Sequence, residues 1–325
     1  IDELETYKNE KFYYNISITK DGIRDILKTD GWYSLIIPKK HLEFNSMEKL
    51  ALVTDLAIMA LKCYIDKFYK YEKAKWEEQY LEYQELNDGD GNFVAEYKFS
   101  YYDAYDGDTT AETVKQFIED LKVLLEQHNG IPTYEKGVLG NSLIAFDFRH
   151  HLYTPLICLK TTNLKLTVSP VSLNENEKRF VDKLRAYVDA NSAVFDGKSL
   201  YLLRNKSKVG MGFFEAGNFY PDYILWIDTP DVQYISFIDP KGLRHLQWDD
   251  PKIEFYATIK ELEERLKPTS GGKKIVLNSF ILSGTRPEDL RQWWGKSQPE
   301  RRAKNVFCLD ESDCIEGMIA KIFSN

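Results

Sequence analysis

The chain has 325 residues, of which 43% are hydrophobic and 29% are charged. Such a length and composition are typical of a globular protein with about two domains and exclude a collagen-like or wholly disordered chain. The formal net charge is −8, and all of it belongs to the first 170 residues, which hold 20 basic and 28 acidic side chains. A protein that is basic over its whole surface is therefore excluded, and any contact with nucleic acid has to come from a local cluster of positive charge.

The sequence favours a protein of the reducing cytoplasm. Its best apolar run, residues 50–65, is shorter than a membrane span and contains Asp55 and Lys62. No signal-peptide pattern opens the chain. The four cysteines form no CxxC pair, which argues against a zinc site and favours free thiols. We therefore expect a cytoplasmic protein that does not associate with membranes.

Residues 1–168 are predicted to form an α+β accessory domain, and we find no catalytic motif in them. A turn is expected at residues 87–91, where the sequence reads Asn-Asp-Gly-Asp-Gly. Hydrophobic periodicity predicts a strand at 32–38, a long helix at 46–86, a strand at 93–102, a helix at 111–128 and two or three strands within 142–168. We expect this domain to position the one that follows.

Residues 169–325 are predicted to form an α/β domain with a mixed sheet. Ser172 and Glu175 are three residues apart and predict a capping box at the start of its first helix. A glycine-rich turn is expected at 209–212. The predicted elements are a helix from about 173 to 191, strands at 199–204, 222–228 and 233–239, a helix at 252–267, a strand at 274–282, a short helix from Pro287 and a strand at 305–309.

Two consecutive apolar strands carry an acidic residue at one end. Asp222 follows Pro221 and opens the first strand, and Asp239 ends the second. Because side chains alternate along a strand, Asp239 and Lys241 project from the same face. The two carboxylates and the carbonyl of Pro240 are the hard oxygen ligands that Mg²⁺ prefers, and a bound ion could activate water against a phosphodiester. Lys241 would orient that water and oppose the developing negative charge. The alternative is an Asp–Lys ion pair at a strand end.

Two glutamates are further candidate metal ligands. Glu177 lies within the apolar stripe of the predicted helix, four residues from both Leu173 and Val181. A carboxylate there is unfavourable unless it is paired or binds a cation, although a side chain at the edge of the stripe can also keep its head in water. Glu215 precedes Asp222 by seven residues, and it is either a ligand or a loop acid near the site.

The positive charge that DNA binding requires is densest in one segment near the end of the chain. Arginine beside tryptophan suits contacts with phosphates and stacking on bases. The alternative is a solvated helix end with one tryptophan in the core. The cluster comprises Arg286, Arg291, Lys296, Arg301, Arg302 and Lys304 with Trp293 and Trp294. The predicted DNA contacts are Arg286, Arg291, Arg301 and Arg302.

Taken together, Glu177, Pro221-Asp222 and Asp239-x-Lys241 resemble the motif of the PD-(D/E)xK nuclease superfamily. More narrowly, the run GFFEAGNFYPDYILW…YISFIDPKGLRH is similar to the C-terminal nuclease part of large bacterial superfamily 2 helicase–nucleases. Those proteins are related to the restriction subunit of type III restriction–modification enzymes. The close resemblance covers about residues 171–310, with a fainter likeness over 11–86. Proline cannot donate a hydrogen bond to a strand ladder, so we expect the pairing of this strand to end at Asp239.

The resemblance implies a restriction-endonuclease-like three-layer core and a DNA endonuclease that depends on Mg²⁺ or Mn²⁺. Glu177, Asp222 and Asp239 would hold the metal ion, and Lys241 would act on the water. It also implies a helicase or ATPase motor as a partner, in the same parent chain or in a complex, and a role in restriction or anti-phage defence. The chain itself has no P-loop. Two other functions stay open: a non-catalytic DNA-binding or docking module on the same fold, and an RNA-directed nuclease.

Overall fold

The computed structural model divides the chain into two compact units, Ile1–Tyr83 and Gln84–Asn325. The boundary that we predicted after residue 168 falls inside the second unit and stays a prediction. The strand predicted at 32–38 and the glycine-rich turn at 209–212 lie outside the described residues. The structure describes all residues except 15, 30–45, 79–85, 88, 102–108, 128–130, 132, 139–140, 161–165, 207–218, 245, 266–271 and 325.

The first unit is helical in the part that the structure describes. Its helices are α1 (Asp2–Glu10), α2 (Lys20–Lys28) and α3 (Met47–Glu78). The third confirms the long helix predicted at 46–86, as far as residue 78. A small apolar core contains Leu4 of α1, Ile16, and Leu61 and Ile65 of α3, and Ile23 and Ile26 of α2 pack against it. No helix among the described residues of the whole chain is both long and apolar enough to span a membrane.

The second unit begins with two small antiparallel sheets, β1-β5 and β2-β3-β4. The helix predicted at 111–128 is confirmed, as are strands within 142–168. The strand β2 was not predicted, because its sequence YEKGV has little apolar alternation. The elements are β1 (Lys98–Tyr101), α4 (Thr110–Gln127), β2 (Tyr134–Val138), β3 (Asn141–Phe146), β4 (Leu156–Lys160) and β5 (Leu166–Ser169).

A mixed five-stranded sheet dominates the rest of this unit and confirms the predicted α/β class. Its strand order is β10-β9-β8-β7-β6; the pairs β6-β7 and β7-β8 are antiparallel, whereas β8-β9 and β9-β10 are parallel. All five strands were predicted, but the helices α8 and α9 were not. The elements are α5 (Glu175–Ala190), a 3-10 helix (Ser192–Phe195), β6 (Ser199–Arg204), β7 (Tyr223–Asp228), β8 (Val232–Lys241), α6 (Pro251–Arg265), β9 (Lys274–Ser283), α7 (Pro287–Trp294), α8 (Gln298–Ala303), β10 (Val306–Cys308) and α9 (Cys314–Phe323).

Helices cover both faces of this sheet. On one face, Phe180 of α5 and Ile319 of α9 share a buried cluster with Leu225 of β7. On the other face, Phe255 of α6 packs with Phe237 of β8. The two central strands are therefore buried on both sides, which explains their nearly continuous apolar sequences.

Candidate active site

Two aspartates meet at one end of the central strands. The antiparallel register of β7 and β8 places Tyr223 opposite Ile238. Continued by one residue, it places Asp222 opposite Asp239. Residues opposed in this way project from the same face, with Cβ atoms about 5 Å apart. Since Asp239 is only 2% exposed, its carboxyl group is held in a poorly solvated position beside a second one.

The proximity of these acids changes how Asp222 titrates. Its pKa is raised from an ordinary value of 3.8 to about 8. Burial is the largest cause, the negative charges of Asp239 and Glu177 add to it, and the positive charge of Lys241 acts in the opposite direction. Two neighbouring carboxyl groups share a proton when no cation compensates their charge. A divalent ion would take the place of that proton.

Lys241 lies where the spacing predicted, close to Asp239. Its Nζ forms an ion pair with Asp239 Oδ2 and stands 5.4 Å from the centre of the Phe219 ring. Although the ion pair with Lys241 is close, Asp239 Oδ2 is buried and accepts no hydrogen bond of ordinary geometry. The predicted convergence of Asp239 and Lys241 is therefore present, and so is the ion pair that we gave as its alternative.

The expectation that pairing ends at Asp239 is wrong for one of the two neighbouring strands. Pairing of β8 with β7 ends at Ile238, but the parallel pairing with β9 continues through Pro240 opposite Leu282 to Lys241 opposite Ser283. Proline removes a single N–H donor, and the bonds of its neighbours to β9 remain. This continued pairing fixes the backbone that carries Lys241.

Glu177 is held by hydrogen bonds within the chain. Its N–H donates to Asn174 Oδ1 at 3.0 Å, and its Oε2 accepts from the Asn174 N–H at 2.7 Å. Arg204, at the end of β6, donates to both carboxylate oxygens at 3.1 and 3.2 Å. Glu177 is 4% exposed. The paired guanidinium offsets the unfavourable burial of this carboxylate, so a metal ion is not needed to explain its position in the stripe.

These bonds also correct the start of the helix. The capping box is formed by Asn174 and Glu177, so the prediction of a box at Ser172 and Glu175 is wrong. Leu173 still belongs to extended chain, since its N–H donates to the Ile157 carbonyl at 2.8 Å beside β4. The helix therefore cannot begin before residue 174, where asparagine is a strongly preferred cap.

An open cleft of about 450 Å³ lies where the start of α5 meets the ends of β7 and β8. Asp222, Asp239 and Lys241 line it, whereas Glu177 is not among the lining residues. Sequence reasoning missed Glu175 and Asn176, since it assigned the first of these to a cap. The lining residues are Asn174, Glu175, Asn176, Tyr220, Asp222, Asp239, Pro240, Lys241 and Gly242.

Close packing fixes one edge of this cleft. A Cβ atom at Gly284, just after β9, would lie 2.0 Å from Oδ1 of Asn176. Only glycine allows the two segments to approach so closely. The first turn of α5 is thereby held against the loop that follows β9.

Asp222 and Asp239 could supply two carboxylate ligands to a divalent cation that keeps most of its water. Among the described residues, no group of three His, Cys, Asp or Glu side chains is arranged to hold a metal ion. Mg²⁺, however, is commonly bound by one or two carboxylates and completes its shell with water and substrate phosphates. The raised pKa of Asp222 and the buried Oδ2 of Asp239 are features that such an ion would compensate. Asp222 and Asp239 are therefore suitable ligands for Mg²⁺ or Mn²⁺.

The other predicted site residues are not all at the surface. Glu215 lies outside the described residues. Arg286 and Arg291 are exposed at the start and in the last turn of α7. Arg301 is 3% exposed and binds Glu311 at 2.8 Å, while Arg302 binds Glu311 at 2.8 Å and Asp313 at 2.6 Å. Contact of these four arginines with DNA stays a prediction, which for Arg301 would require the chain to rearrange.

No protein-family model matches this chain, and no curated protein or solved structure matches it either.

Proposed function

We propose that this chain is a metal-dependent nuclease that hydrolyses DNA phosphodiester bonds in the cleft at the ends of β7 and β8. The observation that carries the proposal is the meeting of Asp222, Asp239 and Lys241 in that cleft. The single charge of Lys241 does not offset the proximity of the two carboxyl groups, since the pKa of Asp222 stays raised to about 8. Such perturbed acids concentrate at functional sites.

The proposed roles follow from the positions of the side chains. Asp222 and Asp239 would hold Mg²⁺ or Mn²⁺, with the Pro240 carbonyl as a further oxygen ligand. When bound, the ion supplies an activated water and compensates the negative charge of the phosphate. Lys241 holds the attacking water and opposes the charge that develops on the phosphate oxygens. Its contact with the Phe219 ring keeps the ammonium group at the cleft.

Glu177 has a supporting role in this proposal. Because Asn174 and Arg204 bind its carboxylate, Glu177 holds the start of α5 beside the cleft. The resemblance implies that Glu177 also contacts the metal ion, and Glu215 is a competing candidate ligand. For Glu177, such contact would require one of its carboxylate oxygens to give up its hydrogen bond from Arg204.

The wider setting of the proposal rests on the resemblance. The order helix, three antiparallel strands, helix and parallel strand from α5 to β9 supports a restriction-endonuclease-like core. The partners that we propose are DNA and a helicase or ATPase motor, in cytoplasmic restriction or anti-phage defence.

Cleavage of supercoiled plasmid and of single-stranded DNA tests the proposal. We expect the wild type to cut with Mg²⁺ or Mn²⁺ and not with EDTA, and Asp239→Asn and Lys241→Met to cut at least about a hundredfold more slowly. The matched control is Asp228→Asn, which makes the same change at the other end of β7, where the carboxylate binds Lys273.

Undiminished cutting by Asp239→Asn would contradict the proposal. If the wild type binds DNA but cuts with neither ion, the non-catalytic binding module replaces the nuclease as the best account. Cleavage of RNA substrates of matched sequence shows whether the substrate is DNA or RNA.

A further inference from the structure

Two loops leave the cleft side by side. In the parallel register of β8 and β9, Lys241 lies opposite Ser283. Beyond the strands, the Gly284 N–H donates to the Lys241 carbonyl at 2.9 Å, and the Leu243 N–H donates to Thr285 Oγ1, also at 2.9 Å. The two chain segments therefore stay adjacent for at least two residues past the end of the sheet.

The next residue on each loop is an arginine. Arg244 follows Leu243, and Arg286 follows Thr285, so each arginine lies one residue beyond the contact that joins the two loops. Both arginines are exposed, and neither forms an ion pair with any of the residues that the structure describes. They differ in this from Arg301 and Arg302, which bind acids within the chain.

Buried neighbours hold the backbone of both arginines in place. Leu243 is fully buried beside Leu290 of α7, in a cluster that also contains Ile281 of β9. Side chains on a fixed backbone lose less conformational freedom when a ligand binds. Two adjacent guanidinium groups also repel each other until an anion lies between them.

We propose that Arg244 and Arg286 together bind a backbone phosphate beside the phosphate held in the cleft. The proposal rests on the nuclease function and deepens it, since it identifies how the substrate strand is held. Gly242 lines the cleft, and the Cα atom of Arg244 lies at most about 7 Å further along the chain. Successive phosphates of one DNA strand rise about 3.4 Å along the helix axis. Arg286 follows Gly284 by two residues, and Gly284 packs against Asn176, which lines the cleft. Both arginines therefore start close to the cleft edge, and their planar donors suit the oxygens of a neighbouring phosphate.

Binding of a fluorescent single-stranded oligonucleotide, measured by anisotropy in EDTA over a range of salt concentrations, tests this pair apart from cleavage. For Arg244→Ala/Arg286→Ala we expect affinity to fall about tenfold. The slope of log Kd against log salt should fall by about 0.7, because the contact with one phosphate is lost. The control, Lys98→Ala/Lys115→Ala, removes two exposed charges from β1 and α4, which do not line the cleft, and should change Kd about twofold or less.

A second variant separates charge from geometry. Arg244→Lys/Arg286→Lys keeps both charges, so the salt slope should stay as in the wild type while affinity falls, because lysine cannot bind phosphate oxygens in a bidentate way. Thermal unfolding checks that all variants fold.

The outcomes distinguish this proposal from the nuclease function. Wild-type affinity and salt slope in the double alanine variant would overturn the arginine pair even if the wild type cuts DNA. Failure of the wild type to bind the oligonucleotide would also overturn it. Conversely, loss of binding in the variant together with no cutting by the wild type would support the pair and reject the nuclease.

Discussion

The two ends of β7 carry the same residue type in opposite electrostatic situations. At one end, Asp228 binds the Lys273 ammonium with bonds of 2.7 and 2.8 Å. At the other end, Asp222 faces Asp239, and its pKa rises to about 8. Both aspartates flank the same apolar strand, so only the structure distinguishes the neutralised acid from the one that faces another acid.

This difference sets Asp228, whose position its ion pair explains, apart from Asp222 and Asp239, whose positions have no such structural explanation. Asp228 and Lys273 are each about one-third exposed, and an ion pair of that kind contributes at most about 1 kcal/mol. Nothing further is needed to explain it. The Asp222–Asp239 pair destabilises the metal-free fold, and a cleft opens beside it. Acids that oppose stability in this way are the better candidates for chemistry.

The largest expected effect concerns the third acid, Glu177. Its carboxylate is neutralised by Arg204, so we classify it with Asp228 as structural. Because the pair is buried, Glu177→Gln should lower the free energy of unfolding by about 3 to 5 kcal/mol. Asp228→Asn should lower it by about 1 kcal/mol or less. Urea denaturation of both variants measures the difference.

The change in stability of Glu177→Gln on adding Mn²⁺ shows whether Glu177 is a metal ligand. Glu177→Gln should still gain stability from Mn²⁺, since neither ion ligand that we propose is altered. Loss of the Mn²⁺ effect, with little loss of stability in EDTA, would instead make Glu177 a metal ligand.

Because Asp222 and Asp239 face each other, we expect a smaller, pH-dependent change in the stability of the metal-free protein. The pKa of Asp222 is about 8 in the folded state and close to 3.8 when unfolded, so between these values only the folded chain holds the proton. Stability should therefore fall as pH rises from about 4 to about 8, by about 1 to 3 kcal/mol given the screening by Lys241 and solvent.

Asp222→Asn should remove this fall, because an amide does not titrate. Asp228→Asn should keep it, and the comparison cancels contributions that both variants share. The measurement is the urea midpoint in EDTA at pH 5 and pH 8. Equal pH dependence in the wild type and Asp222→Asn would show that the acids do not interact as the geometry requires.

Much of the fold could be predicted from the sequence because its signals are local. Apolar runs bounded by turns gave the five strands of the main sheet, and the two-residue spacing of Asp239 and Lys241 gave their common face. The start of α5 could not be predicted in this way. It depends on the contact between Leu173 and β4, which is distant in sequence.

The same limit applies to charged residues. Arg301 and Arg302 look like free positive charge in the sequence, yet Glu311 and Asp313, about ten residues later, bind them. Arg244 could not be singled out from the sequence, because the loops that carry Arg244 and Arg286 are brought together only when β8 and β9 pair. Pairing between distant segments, rather than residue type, decides which charges remain available.

The most direct test of the central claim is calorimetric titration of the metal-free chain with Mn²⁺. We expect the wild type and Asp228→Asn to bind the ion with similar affinity, and Asp239→Asn to bind at least about tenfold more weakly, since it loses one of two carboxylate ligands. Absence of binding by the wild type, or equal binding by Asp239→Asn, would contradict the claim that the facing aspartates form a metal site.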